Sequence, residues 1–260
     1  MKIQINDKKK KDLFVSLFHI LKSCSSTMNL SLTSDSMHIQ GMDKSHICLF
    51  NVILNSKWFD EYKIDNNSKI SFSSSVFYSI ISTKTENQNL NIFMKNQDDD
   101  QLEIKFESEG DTKKKDFKKS FKMPLIEYEY EEMNIPTPDY DAEFSFSSKQ
   151  ISDIFSQLNN FSDDIIMQCS ENDVNLSANG ANGEMKVEIP IDELTSFSIV
   201  EGEVITLTYS LAYINKMCIT NKLSTDIDFS LSNECPLKIN YDLGDDSNLV
   251  FFIAPKMNDA

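Results

Sequence analysis

Sliding the 260-residue chain against itself by 137 positions lays apolar residues on apolar residues over most of its length. Phe14, Leu17, Phe18 and Leu21 fall on Ile151, Ile154, Phe155 and Leu158, and both sets keep the i, i+3, i+4, i+7 spacing of one helical face. Met28, Leu30 and Leu32 fall on Ile165, Met167 and Cys169, the alternation of a strand with one buried face. The register continues with Ile70 and Phe72 on Leu207 and Tyr209, Phe77 and Ile80 on Ile214 and Met217, and Leu102, Ile104 and Phe106 on Ile239, Tyr241 and Leu243. Alternating strands alone produce a few such matches by chance. A switch between helical and strand periods at the same places in both halves is far harder to obtain, so the chain reads as two copies of one unit.

Each unit reads strand, helix, several strands, helix, more strands, an α+β arrangement with antiparallel sheets and two helices of about three turns. Residues 1–124 form the first domain and 139–260 the second. Between them, "PLIEYEYEEMNIPTPDY" alternates Ile126, Tyr128 and Tyr130 with Glu127, Glu129 and Glu131 before prolines stop any helix. Residues 125–138 are therefore expected to be an extended, acidic connector with one apolar side, lying across both units.

Charge is distributed unevenly. The formal net charge is −16, yet the predicted helices at 8–22, 73–84, 148–159 and 209–222 together carry +7, which leaves −23 for the rest. Exposed helix faces rich in serine, asparagine and lysine are unremarkable singly; four of them, nearly free of acids in so acidic a chain, suggest a shared surface toward something anionic. The run Lys8–Lys11 opens the first helix, where cations oppose the helix dipole, and this hints at a phosphate-facing role. The run at 113–119 reads as a solvated loop. There is no arginine, so nucleic-acid contact would be made by lysine point charges on phosphates, which position a protein without reading sequence.

The chemistry of catalysis is missing from the pattern. His19, His38 and His46 fall on a helix, a strand and a loop, and no H-E-x-x-H, G-x-S-x-G or glycine-rich phosphate loop occurs. "NGANGE" at Asn179–Glu184 reads as a turn between strands. Cys24, Cys48, Cys169, Cys218 and Cys235 show no C-x-x-C pair, and four lie in apolar segments, so a reducing compartment is expected, with neither disulfide nor zinc. No catalytic residue, metal site or cofactor is assigned. No stretch reaches the roughly 20 apolar residues of a membrane span, and the start of the chain, "MKIQINDKKKK", is polar rather than signal-like.

Three segments carry a resemblance. "GMDKSHICLF" is similar to an M-D-x-S-H-V-x-L segment, "NIPTPDY" to a G-I-P-x-x-x-Y connector end, and "NECPLKINYDLGDDSNLVFFIAPK" to a D-V-P-L…L-x-Y-Y-L-A-P-K terminus, all of the eukaryotic-type DNA sliding clamp, proliferating cell nuclear antigen. The resemblance runs over essentially the whole chain. It implies the two-domain clamp fold: a non-enzymatic homotrimeric ring enclosing duplex DNA, with helices lining the hole and sheets outside. It implies sequence-independent phosphate contacts at Lys8, Lys9, Lys10, Lys11, Lys22, Lys84, Lys149, Lys216 and Lys222. Ring closure would pair strand edges near Phe117–Met123 and Glu184–Ile189.

The resemblance also implies a hydrophobic pocket for client proteins, walled by Met42, His46, Ile47, Leu49, Met133, Ile135, Pro136, Pro236, Phe252, Ile253, Ala254 and Pro255. Clients, DNA polymerase among them, would present a glutamine, an aliphatic residue and two aromatics, and an ATP-dependent loader would open the ring. His46 is then a wall residue; without the resemblance, the sequence favours a structural histidine at a strand end. Family basic positions on the inner surface appear here as Ser79, Ser82, Asp153, Ser156 and Ala212, which implies weak, salt-sensitive DNA affinity without loading. Glu171 stands where the family carries a modified lysine, and Phe252 where it carries tyrosine. Nuclear residence, or a viral replication compartment, follows from the family. The alternative is a clamp-like paralogue, either a subunit of a heterotrimeric checkpoint-type clamp or a non-encircling regulatory factor.

Overall fold

A computed structural model describes residues 1–95, 99–108, 117–127, 130–135, 138–218 and 221–256. Pro136 and the lysines at 113–115 fall outside these. Two compact units emerge, the first Met1–Met42, Phe50–Met133 and Leu243–Asn248, the second Asp43–Leu49, Asn134–Asp242 and Leu249–Ala260. Each unit thus borrows one short segment from the other's stretch of sequence.

The first unit runs β1 (Lys2–Ile5), α1 (Lys8–Cys24), β2 (Thr27–Leu32), β3 (Ser36–Met42), β4 (Cys48–Asn55), β5 (Glu61–Lys63), β6 (Ser68–Ser73), α2 (Ser74–Ile81), β7 (Gln88–Phe93), β8 (Gln101–Ser108) and β9 (Lys119–Pro124). One layer has the order β5-β1-β7-β8-β9, and β4, β3, β2 and β6 lie side by side in another. The second unit runs β10 (Ala142–Ser147), α3 (Ser148–Leu158), β11 (Asp164–Cys169), β12 (Asp173–Gly180), β13 (Gly183–Pro190), β14 (Ser196–Ile199), β15 (Ile205–Ser210), α4 (Leu211–Met217), β16 (Asp226–Leu231), β17 (Leu237–Gly244) and β18 (Ser247–Ile253). Its orders are β14-β10-β16-β17-β18 and β13-β12-β11-β15. Strand pairs are antiparallel in both units.

The duplication is visible in register. Thr27 faces Ser73 and Leu30 faces Ile70 in the first unit; 137 positions on, Asp164 faces Ser210 and Met167 faces Leu207. The correspondence slips in two places. Ile5 pairs with Leu90, but Ile227, the counterpart of Leu90, pairs with Phe146 rather than with Ala142. Strand β10 consequently runs to Ser147 where the first unit already has the opening turn of α1, and α1 has 17 residues against 11 in α3. The expectation of uniform three-turn helices fails for this reason, and α2 and α4 are shorter still, with 8 and 7 residues.

The second slip concerns loops. Strands β12 and β13 are joined by Ala181 and Asn182 alone, the tight turn expected at "NGANGE", with Gly183 at φ 114°. A Cβ on Gly180 would sit 2.2 Å from the Phe161 carbonyl oxygen, so only glycine fits. At the equivalent place the first unit has five residues, Asp43–Ile47, between β3 and β4.

Helices are bound to sheets by single apolar stripes. In α1 the buried face is Phe14, Leu17, Phe18, Leu21 and Cys24, and α1 packs on α2. Phe77 of α2 centres the cluster, with ring centroids 4.6 Å from Phe18 and 4.7 Å from Phe72. In the second unit Phe155 of α3 meets Phe229 edge-on at 6.0 Å, and Phe229 stacks on Phe144 at 4.9 Å. At the start of the connector Leu125 N–H donates to the Asp100 carbonyl and Ile126 N–H to that of Ser71, both 2.8 Å and both within the first unit. Phe77→Ala is expected to lower unfolding free energy by about 3–5 kcal/mol, because the cluster cannot collapse into the void. Urea titration followed by far-UV circular dichroism measures it.

Candidate functional site

The five-residue loop that distinguishes the first repeat is organised by one carboxylate. Asp43 is buried, and its Oδ1 accepts the amide hydrogens of Ile47 at 2.8 Å and Cys48 at 2.7 Å. Its Oδ2 accepts from Ser45 N–H at 2.9 Å and from the Tyr213 hydroxyl of α4 at 2.8 Å. The Asp43 backbone closes the turn, donating to the Cys48 carbonyl and accepting from His46 N–H. His46 lies at φ 57°, in the left-handed region that a turn apex requires and that histidine tolerates better than most side chains. Burial pushes the Asp43 carboxyl up, but the donors from Cys48, Ser45, Tyr213 and Ile47 outweigh it and hold the group below its ordinary range. The Ser45 hydroxyl lowers the Tyr213 phenol; burial and the adjacent carboxylate more than offset this and leave it raised.

Held this way, the loop leaves His46 exposed and Ile47 and Leu49 half-buried. The C-terminal wall joins it directly: Ala254 N–H donates to the Ile47 carbonyl at 3.0 Å, and Lys256 N–H to the Thr208 carbonyl of β15 at 2.8 Å. Phe252 and Pro255 are half-buried, and Ala254 and Pro236 exposed, all open to a partner. Ile253 is not. Its side chain is fully buried because alternate residues of β18 point into the core, so it props the wall rather than lining it. Ile135 is half-buried in the second unit. Met42 and Met133 belong to the first, where buried Gln40 receives Met133 N–H on Oε1 at 2.7 Å and donates Nε2 to the Met133 carbonyl at 3.0 Å. Gln40 therefore pins the connector as a strand neighbour would.

The lysine run opening α1 is largely engaged by the protein itself. Asp7 caps the helix, accepting from Lys10 N–H at 2.8 Å. Lys8 pairs with Glu86, whose hydrogen bond and charge raise the lysine's pKa. Lys10 donates to the Trp58 carbonyl at 2.8 Å and pairs with Asp245 at 2.7 Å. Lys84 pairs with Asp12. Lys11 is buried, donating to the Gln88 carbonyl at 2.6 Å, and burial followed by the Lys84 charge pushes its pKa down. Lys11 is therefore removed from the surface set: its stem completes the core, and its ammonium satisfies carbonyls there. Lys9, Lys149, Lys216 and Lys222 are exposed, and Lys22 is half-buried with its ammonium 3.8 Å from the Tyr78 ring centroid. The acids of the four helices are Asp12 and Asp153, both exposed.

The family models for "Proliferating cell nuclear antigen, N-terminal domain" and "Proliferating cell nuclear antigen, C-terminal domain" match residues 7–132 and 134–256. The chain belongs to the proliferating cell nuclear antigen family. It has the duplicated α+β clamp fold and is a DNA sliding clamp of replication and repair, a processivity factor in a family of non-catalytic clamps. It is similar to proliferating cell nuclear antigen 2 of Plasmodium falciparum (isolate 3D7), with 26% identity over 254 residues covering 95% of this chain and 96% of the relative. Among the described residues no group of three His, Cys, Asp or Glu side chains is placed to hold a metal ion, and no helix is long and apolar enough to cross a membrane.

Sequence reasoning passed over Asp43, Gln40 and Tyr213. Asp43 stands in the motif segment, and the only signal of its role was the longer loop in one repeat. Tyr213 is 170 positions away, and nothing local marks it. Because the folded pKa of Asp43 is depressed, its contribution is full above the ordinary carboxylate range and is lost as pH falls through the lower folded value. Hydrogen-exchange protection of the Ile47 and Cys48 amides is expected to persist through the ordinary carboxylate range, about pH 4, and to be lost only at lower pH. Asp43→Ala should abolish that protection at neutral pH.

Proposed function

We propose that three copies of the chain close head to tail around duplex DNA and that the loop at 43–49 with the C-terminal wall receives client peptides. The observation carrying this reading is the acid-poor outward face of α1–α4 in a chain of net charge −16, which suits a polyanion held without sequence readout. Lys9, Lys22, Lys149, Lys216 and Lys222 supply the phosphate contacts. Lys8, Lys10 and Lys84 contribute less, because acids already neutralise them. The site at His46, Ile47, Leu49, Phe252, Ala254, Pro255 and Pro236, with the connector residue Ile135, docks the aromatic anchors of DNA polymerase and other clients. His46 acts by its exposed imidazole edge, not as a catalyst, and the chain itself performs no reaction. An ATP-dependent loader opens the ring in the nucleus.

Among the described residues, strands β9 and β13 stand at the ends of their sheets with no further strand beside them, the geometry for pairing between copies. Strand β9 carries Lys119 and Lys122, and β13 carries Glu184 and Glu188 with one lysine, Lys186, so net charges of opposite sign favour the head-to-tail contact. A second reading, a subunit that needs different partners to close, draws on the lysines already paired with acids. Light scattering across a dilution series tests the choice. The proposal expects a mass of about three times 29.8 kDa, and expects the Glu184→Lys/Glu188→Lys variant to dissociate at concentrations where the parent does not. A chain that stays monomeric at high concentration supports the second reading instead.

A further inference from the structure

We propose that Tyr213 is a positioning residue for client docking, acting from α4 through its hydroxyl on the Asp43 carboxylate. The inference rests on the reading that the 43–49 loop receives client peptides.

A closed circuit of hydrogen bonds within the second unit supports it. The Tyr213 hydroxyl donates to Asp43 Oδ2, and Asp43 Oδ1 holds Ile47 N–H. The Ile47 carbonyl holds Ala254 N–H, and two residues on Lys256 N–H holds the Thr208 carbonyl. Thr208 lies in β15, which runs directly into α4 and so back to Tyr213. Ile47 is the pivot: its N–H faces the latch and its C=O faces the C-terminal wall, so one residue sets the spacing between the two sides of the site. The Lys256 ammonium pairs with Asp164 of β11, and Asp164 is itself paired in register with Ser210 at the end of β15, which tethers the far corner of the circuit.

Tyr213 does little else for the fold. The apolar stripe of α4 is Leu211, Ile214 and Met217, and Tyr213 lies off it, half-buried, with the Lys216 ammonium 5.5 Å from its ring centroid. Removing the hydroxyl alone leaves ring packing in place. It takes from Oδ2 its only side-chain donor among the described hydrogen bonds and leaves the carboxylate held by the loop's own amides alone, so the loop, Ile47 included, loses its tie to α4 and can shift. The helix that offers Lys216 to an anion thereby also holds the loop that meets clients.

The test uses the full chain and a synthetic peptide bearing a glutamine, an aliphatic residue and two aromatics, titrated by calorimetry. Tyr213→Phe is expected to weaken the peptide roughly threefold to tenfold, a fraction of the worth of a hydrogen bond to a charged group, with oligomer mass and melting temperature unchanged. In an Asp43→Ala background the same substitution should have a much smaller effect, since the Tyr213 hydroxyl then keeps only Ser45 as a partner in the loop. Equal losses in both backgrounds mean that Tyr213 acts on the client by another route and overturn the proposal, as does an unchanged affinity in Tyr213→Phe. A parent chain that ignores the peptide sinks the client reading itself, and exchange at Ile47 then reports on the latch: unaltered protection in Tyr213→Phe overturns that too.

Discussion

Every helix in this protein has one apolar stripe, and packing against the sheets uses it completely. Phe14, Leu17, Phe18 and Leu21 of α1, and Ile151, Phe155 and Leu158 of α3, face inward with nothing apolar of comparable extent behind them. The face turned to solvent is thereby free of packing duty, and what it carries reflects another selection. It carries lysine, serine and glutamine with few acids, while acids crowd the connector and other loops. A surface of this kind attracts a polyanion through many weak, screened contacts that none of its members dominates. That is the behaviour sliding needs: strong enough to stay, with no preferred register.

The same economy limits how positive the surface becomes. A lysine run at a helix N-terminus opposes the helix dipole, and the fold answers with Asp7 as cap, Glu86 beside Lys8, Asp245 beside Lys10 and a carbonyl cradle around Lys11. Exposed pairs of this sort stabilise little, but they occupy the charges. On the proposed reading, the way α1 begins would weaken intrinsic affinity for DNA, as would the serines and alanine at neighbouring positions.

Much of this was legible in the sequence because the duplication supplied its own control. A helical period at Phe14–Leu21 that recurs at Ile151–Leu158 is almost self-confirming, and the turn at "NGANGE" is fixed by glycines whose roles the backbone now explains. The helix lengths were not legible, since the four-residue slip between β1 and β10 leaves no apolar trace. Nor was the buried state of Lys11 or Ile253. Lys11 sits in a run that reads as uniformly solvated, and Ile253 alternates with Phe252 in a motif that names both. Periodicity gives the face on which a residue lies; whether that face is covered depends on partners distant in the chain. Asp43 and Tyr213 show the limit most plainly, since a single hydrogen bond joins positions that no window of sequence contains together.

The central claim is topological: the chain encloses DNA rather than merely adhering to it. The most direct measurement loads the protein onto nicked circular DNA with a clamp loader, washes at moderate salt, and then cuts the circle once with a restriction enzyme. The account predicts retention on the circle and rapid release after the cut, by sliding off the new ends. Retention that is equal before and after linearisation would contradict it and make the lysine face an ordinary adhesive surface.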